Sequence, residues 1–152
     1  MVSYFHFMAL SIISSFLIST DADTKQTVTI NINVPQETLM DEQEIFSRNI
    51  CKLIEFINSK GYSVTLGEAY RTHEQALIYA HEGLGIKNSL HCERLAMDLN
   101  IIDPHGHLLT TIEEFKPFGE YWESLNEYNV WGGRWQHRPD SDHFQMSDET
   151  RR

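Results

Sequence analysis

Between positions 41 and 60 apolar side chains recur at every third or fourth residue: Ile45, Phe46, Ile50, Leu53, Ile54 and Ile57. That spacing is the stripe of an amphipathic helix, and it predicts one from Asp41 to about Lys60. Asp41 and Glu42 suit the positive end of its dipole, and Gly61 is a natural stop. Ahead of it, Val28, Ile30, Ile32 and Val34 alternate with polar residues and predict a half-buried strand closed by Pro35. Downstream the pattern predicts a strand over Ser63–Tyr70, a helix over His73–His81, a glycine-containing loop to Ser89 and a strand over Leu95–Ile102. Asp103-Pro104-His105-Gly106 reads as a turn leading to a short return strand, His107–Thr110. A helix over Lys116–Asn126, a loop at Trp131–Trp135 and a last strand over His143–Met146 complete the series. Strands and helices interleave with at least one hairpin, so an α+β domain with a mainly antiparallel sheet is expected.

The 152 residues suffice for one domain. A chain of this size buries roughly 68–70% of its unfolded surface. It needs neither disulfides nor a structural metal to fold, so any bound metal is expected to be catalytic. The pattern divides the chain into an apolar leader (1–22), an extension with one strand (23–40) and the main domain (41–152). Tyr4 to Ile18 is almost wholly apolar, shorter than the roughly 20 residues of a membrane span. With small residues around Thr20-Asp21-Ala22 it reads as a signal peptide or a weak anchor, and otherwise as a buried N-terminal helix. Contact with a membrane is expected only through this leader, if it is retained.

A formal net charge of -10 argues against nucleic-acid partners, which need a basic face, and against adhesion to anionic polymers. It suits a compact neutral or cationic peptide. Cys51 and Cys92 form no C-x-x-C metal motif and are expected to be buried free thiols rather than a disulfide.

Eight histidines prompt a search for metal motifs. His73-Glu74 opens an H-E-x-x-H pattern, but Leu77 stands where the second histidine belongs. His91-Cys92-Glu93 matches half of a zinc-deaminase signature whose P-C-x-x-C half is missing. What remains is His91, Asp98 and His143. In the strand around Asp98, Leu95, Met97 and Leu99 share one face, while Ala96 and Asp98 share the other, leaving room above the carboxylate. Phe144 and Met146 alternate with His143 and Gln145 in the same way. Two imidazoles and a carboxylate leave a tetrahedral Zn2+ one open position, where a water of pKa about 7 becomes available. Asp140, three residues before His143, is placed to take the proton and deliver it to a leaving amine; Asp142, in the turn, is its rival.

Ser89-Leu90-His91-Cys92-Glu93-Arg94-Leu95-Ala96-Met97-Asp98 resembles the S-x-H-x-x-G-x-A-x-D motif of the D-alanyl-D-alanine carboxypeptidase (VanY-type) zinc peptidases. Trp131-Gly132-Gly133 with Asp140-Ser141-Asp142-His143-Phe144 resembles that family's second motif, and the likeness spans roughly residues 41 to 146. It is similar in particular to small phage and prophage members, several of them L-alanyl-D-glutamate endolysins. The resemblance implies a Hedgehog/DD-peptidase-like fold, zinc on His91, Asp98 and His143, and Asp140 as catalytic carboxylate. It also implies that Arg71, in Glu68-Ala69-Tyr70-Arg71-Thr72, holds a substrate carboxylate or a developing oxyanion; a structural ion pair with Glu68 or Glu74 is the alternative. Arg94 departs from the motif's glycine.

The implied activity is hydrolysis of peptidoglycan stem peptides by a monomer, with L-alanyl-D-glutamate endopeptidase foremost. D-Ala-D-Ala carboxypeptidase or dipeptidase activity, or a non-catalytic zinc-containing binding module, are the alternatives. Export to periplasm or cell wall follows if the leader is a signal, and cytoplasmic residence until lysis if it is not. Trp131 and Trp135 are open between lining a substrate groove and packing a loop.

Overall fold

The computed structural model describes residues 38–147; the leader and the strand expected over 28–34 lie outside the described residues. The first helix, α1, runs Leu39–Ser59. It begins ahead of the acidic pair because Thr38 and Asp41 cap it reciprocally. The Thr38 hydroxyl accepts the Asp41 N–H at 3.3 Å, and the Asp41 carboxylate accepts the Thr38 N–H at 3.0 Å. The expected stripe faces inward, with Phe46, Ile50, Leu53 and Ile57 buried and Ile45 and Ile54 packed at its margins. Gly61, at φ +84°, turns the chain out of the helix.

Four strands form one antiparallel sheet: β1 (Ser63–Leu66), β2 (Ala96–Ile102), β3 (Asn129–Trp131) and β4 (His143–Met146), in the order β1-β2-β4-β3. Helix α2 spans His73–His81, capped by Thr72, and α3 spans Ile112–Leu125. Leu99, Ile101, Phe144 and Met146 join Phe46, Leu53, Ile57, Phe115, Phe118 and Trp122 in one core between the sheet and helices α1 and α3. Each such side chain contributes about 1.5–3 kcal/mol by leaving water. Trp122 ties α3 to the sheet, its indole N–H reaching the carbonyls of Val130 (3.2 Å) and Gln145 (3.1 Å). Among the described residues no helix is long and apolar enough to cross a membrane.

The α+β architecture and the antiparallel sheet match the expectation; four boundaries do not. Strand β1 stops at Leu66 rather than Tyr70. Gly67 and Glu68 still bond to the backbone of Asp98 (2.8 and 3.0 Å), but the chain then turns off the sheet. The return strand after the Asp103 turn is reduced to one bridge, Ile102 to Leu108, because the Asp103 carboxylate captures the N–H groups of His105 and His107. Helix α3 starts at Ile112, not Lys116. A Thr111–Glu114 capping box nucleates it, and Pro117 is carried inside the helix. Finally, Asn129–Trp131 is a strand where a loop was expected from Trp131. Both cysteines are free as expected, but Cys51 is exposed, on the outer side of α1, and Cys92 only partly buried.

Candidate metal centre

Cross-strand register brings two of the expected ligands together. Asp98 on β2 lies directly opposite His143 on β4, and such partners project from the same face of an antiparallel pair. Leu99, Ile101, Phe144 and Met146 occupy the opposite, core face, as the alternation required. The third ligand arrives on a single 3-10 turn, Leu90–Glu93, anchored by buried Leu90 and closed by a bond from the Leu95 N–H to the Leu90 carbonyl (3.0 Å).

The result is a triangle of ligand atoms. His91 Nε2 lies 3.3 Å from His143 Nδ1 and 3.4 Å from Asp98 Oδ1, and His143 Nδ1 lies 3.0 Å from the same oxygen. A tetrahedral ion with bonds of about 2.0–2.1 Å spaces its ligands about 3.3 Å apart. The edges therefore fit zinc. The donor chemistry fits as well. His143 Nε2 faces Gln145 Oε1 at 3.0 Å and donates its proton there, leaving Nδ1 as a bare lone pair aimed at a carboxylate. Acceptors facing one another at this distance call for a cation between them. Without one, a proton takes its place: burial lowers the His143 pKa, but the hydrogen bond and charge of Asp98 outweigh it and raise it. Burial likewise pushes Asp98 up, and the hydrogen bonds and charges of His143 and His91 reverse this, bringing it down to about 2. Among the described residues this is the one cluster whose ligand atoms converge in this way.

Arg94 occupies the end of the 3-10 turn at φ 56°, ψ 35°, the left-handed region, and is alone among described non-glycine residues in having positive φ. This explains the glycine of the related motif. The turn keeps its form with arginine, and the guanidinium lies 4.4 Å over the Tyr70 ring. A left-handed residue with a Cβ costs roughly 1–2 kcal/mol, and an exposed cation–π contact returns about 0.5–1 kcal/mol. Melting of the variants should thus rank Arg94→Gly equal to or up to about 1 kcal/mol above the parent, and Arg94→Ala below it. Arg94→Gly as the least stable of the three would contradict this account.

The loop after β3 sets the acidic residue. The Gly132 carbonyl accepts the N–H groups of both Trp135 (3.1 Å) and Asp140 (3.0 Å), folding the loop back on itself. A Cβ on Gly132 would fall 2.6 Å from the Asp140 carbonyl oxygen and 3.1 Å from His143 Cβ, so only glycine permits the approach. Asp140 is exposed, its charge is felt by His143, and its carboxyl hydrogen-bonds Asp142. Asp142 is half-buried rather than exposed in the turn. Burial first, then the hydrogen bond and charge of Asp140 and the charge of Asp98, hold it up at about 6.

The two tryptophans part company. Trp131 is core, 2% exposed, its indole N–H bonded to the Ser141 carbonyl at 2.7 Å. Trp135 is half-buried with its ring 5.0 Å from that of His143, beside the metal position. Arg71 stands close enough for Asp98 to affect it and is gripped by Glu68, not Glu74, with its Nη1 3.3 Å from Ser89 Oγ. Glu68 and Gln145 were not singled out for the site by the sequence; position i−3 from Arg71 and i+2 from His143 were the available signals. His73, His81, His105, His107 and His137 are exposed.

An antiparallel strand pair presenting Asp98 and His143, with His91 brought in on the 3-10 turn, forms a site with the donor set and spacing for a metal ion. Residues 83–146, which carry all three ligands and Asp140, match the family model of D-alanyl-D-alanine carboxypeptidase. Over that stretch, which is under half of the chain, the sequence is similar to that family, and the three groups that converge in it could hold a metal ion. Among solved structures, the L-Ala D-Glu endopeptidase ChiX of Serratia marcescens aligns at TM-score 0.54 and 16% identity, over 70% of this chain and 86% of that one. It shares the fold. Weaker alignments join the vancomycin resistance D,D-pentapeptidase VanY (TM-score 0.47, 15% identity, 68% of this chain and 71% of that one) and the LD-carboxypeptidase LdcB (0.48, 14%, 69% and 65%). No curated protein sequence matches the chain.

Proposed function

We propose that the chain is an L-alanyl-D-glutamate endopeptidase of the endolysin type. The reading rests above all on the His91–Asp98–His143 triangle with an acidic residue on the adjoining loop. The fold shared with an endopeptidase of that specificity supports it. Zinc on these residues would supply Lewis-acid polarisation of a carbonyl and a water with pKa near 7. Asp140, on an exposed loop beside His143, would serve as the acid–base group, holding a proton during attack and delivering it to the amine that leaves. Arg71, across the site on the side of His91, offers hydrogen bonds to an anionic or developing negative oxygen. Trp135 covers the His143 ring and limits solvent on that side. A monomer suffices, since every residue named comes from one chain. An apolar leader over 1–22 suits export to the periplasm or wall.

The family description supports a second reading, removal of a terminal D-alanine. Mass spectrometry of muropeptides incubated with the zinc-loaded chain separates them. Cleavage between L-alanine and D-glutamate is the expected result, and loss of one D-alanine alone would establish the second reading. Intact muropeptides, with zinc bound, would remove both and leave a binding module.

A further inference from the structure

Arg71 is tethered at several points. Its Nε–H donates to Glu68 Oε1 at 2.8 Å, and Nη2 donates to Glu68 Oε2 at 2.5 Å. Nη1 donates to Ser89 Oγ at 3.3 Å, and the guanidinium carbon lies 4.9 Å over the Tyr79 ring. The arginine side chain is 12% exposed and that of Glu68 29%. A guanidinium has five N–H donors in a fixed fork. Glu68 takes the two on its side edge and Ser89 takes one on Nη1. One N–H on Nη1 and one on Nη2 take no part in these bonds.

Both partners of this pair are also fixed to the metal ligands through the backbone. The Glu68 carbonyl accepts the Asp98 N–H at 3.0 Å, and the Arg71 N–H donates to the His91 carbonyl at 3.3 Å. Ser89, which holds Nη1, is buried two residues before His91. The short segment from Glu68 to Arg71 therefore runs along the ligands, and the ion pair within it has its position set by the same backbone that sets theirs. Electrostatics agree with the placement: the hydrogen bond from Arg71 lowers the Glu68 carboxyl, against the cost of burial, and His91 and Asp98 both act on it.

An unrestrained arginine loses about 2 kcal/mol of rotamer entropy when a ligand fixes it. Here Glu68 imposes that order before any substrate arrives. It also balances the arginine's charge, so that the pair adds no net charge next to anionic Asp98. A surface ion pair of this spacing would contribute little; one that is mostly buried, two-pronged and bound to the ligand backbone has a different use.

We propose that Glu68 is the positioning residue of Arg71: by occupying the side edge of the guanidinium, it commits the remaining N–H groups to an oxygen of the stem peptide beside the scissile bond. This rests on the peptidase reading above. The test is a double-mutant cycle on the zinc-loaded full chain, using Glu68→Ala, Arg71→Ala, the double variant and Glu68→Gln. Zinc content, melting temperature, kcat and KM on a muropeptide are measured for each. Glu68→Ala should lower kcat/KM by about 10- to 100-fold, the cost of a misplaced contact, with zinc content unchanged. The double variant should be no worse than Arg71→Ala alone, because the two act as one unit. Glu68→Gln, which keeps one acceptor for the arginine, should recover part of the loss.

Multiplying effects, or a Glu68→Ala variant as active as the parent, would overturn the proposal. So would loss of zinc or a melting shift that accounts for the lost activity, since Glu68 would then be structural. If the parent cleaves nothing, the peptidase reading fails first. The same cycle is then read from calorimetric binding of synthetic L-Ala-γ-D-Glu-L-Lys-D-Ala to the zinc-loaded chain, and from exchange of the Arg71 Nε–H resonance. Absence of binding, or an Nε–H no better protected than in Glu68→Ala, would overturn the positioning role by itself.

Discussion

Replacing Asp140 by alanine should leave one zinc per chain and lower kcat on muropeptides by about 10²- to 10⁴-fold, the usual worth of a positioned acid–base group. His91→Ala should lose both metal and turnover. The separation follows from where the two residues sit. His91 is 2% exposed, on a turn anchored in the core by Leu90, and its Nε2 forms two edges of the ligand triangle. Its removal leaves one imidazole and one carboxylate, too few for a tetrahedral site with a single open position. Asp140 is on an exposed loop held by the Gly132 carbonyl, and its side chain is not part of the triangle. Metal analysis alongside a rate measurement distinguishes the two roles. An active Asp140→Ala variant would move the proton-transfer role to Asp142, half-buried and hydrogen-bonded to Asp140. Asp142→Asn would then be the inactivating change.

What could be read from the sequence was whatever repeats or lies in register with itself. The stripe of α1 and the alternation around Asp98 and His143 each specify a buried face, and the opposite face follows from the pleat. The ligand set was therefore legible: two strands anchored by Leu99, Ile101, Phe144 and Met146 had to display Asp98 and His143 together once they paired. The 3-10 turn that delivers His91 has no periodicity to read, and Arg94 in a left-handed conformation obscured it further. Strand β3 was missed because three residues running into Trp131-Gly132-Gly133 look like loop. The glycines belong instead to the packing of the indole and the approach of Asp140. The start of α3 was displaced by Pro117, although Thr111 and Glu114 mark its true beginning. Glu68 was visible only as one of two partners for Arg71. Choosing it required knowing that the chain leaves the sheet at Gly67 and turns back along His91, a tertiary fact.

Gly119→Ala, the second large effect, should destabilise the chain by about 2 kcal/mol or more and weaken zinc binding with it, despite improving helix propensity. Alanine in a helix interior gains about 1 kcal/mol over glycine. Against this, a Cβ at Gly119 would lie 2.1 Å from Trp131 Cδ2 and 2.3 Å from Cε3, and a Cβ at Gly133 would meet the six-membered ring at 2.2 Å. The indole is closed in by backbone at both positions, so it has no free side to move into. Overpacking a core costs typically 1–3 kcal/mol and occasionally more. With a rigid ring and an overlap this deep, the upper end applies and outweighs the propensity. The damage reaches the metal because the Trp131 N–H holds the Ser141 carbonyl at 2.7 Å, between Asp140 and His143. Displacing the indole shifts that loop and the ligand next to it. For a domain of this size the melting temperature should fall by on the order of 10 °C, and a zinc titration should show a weaker site. A Gly119→Ala variant that melts with the parent would mean that the Trp131 ring relocates freely, and that the loop carrying Asp140 does not depend on it.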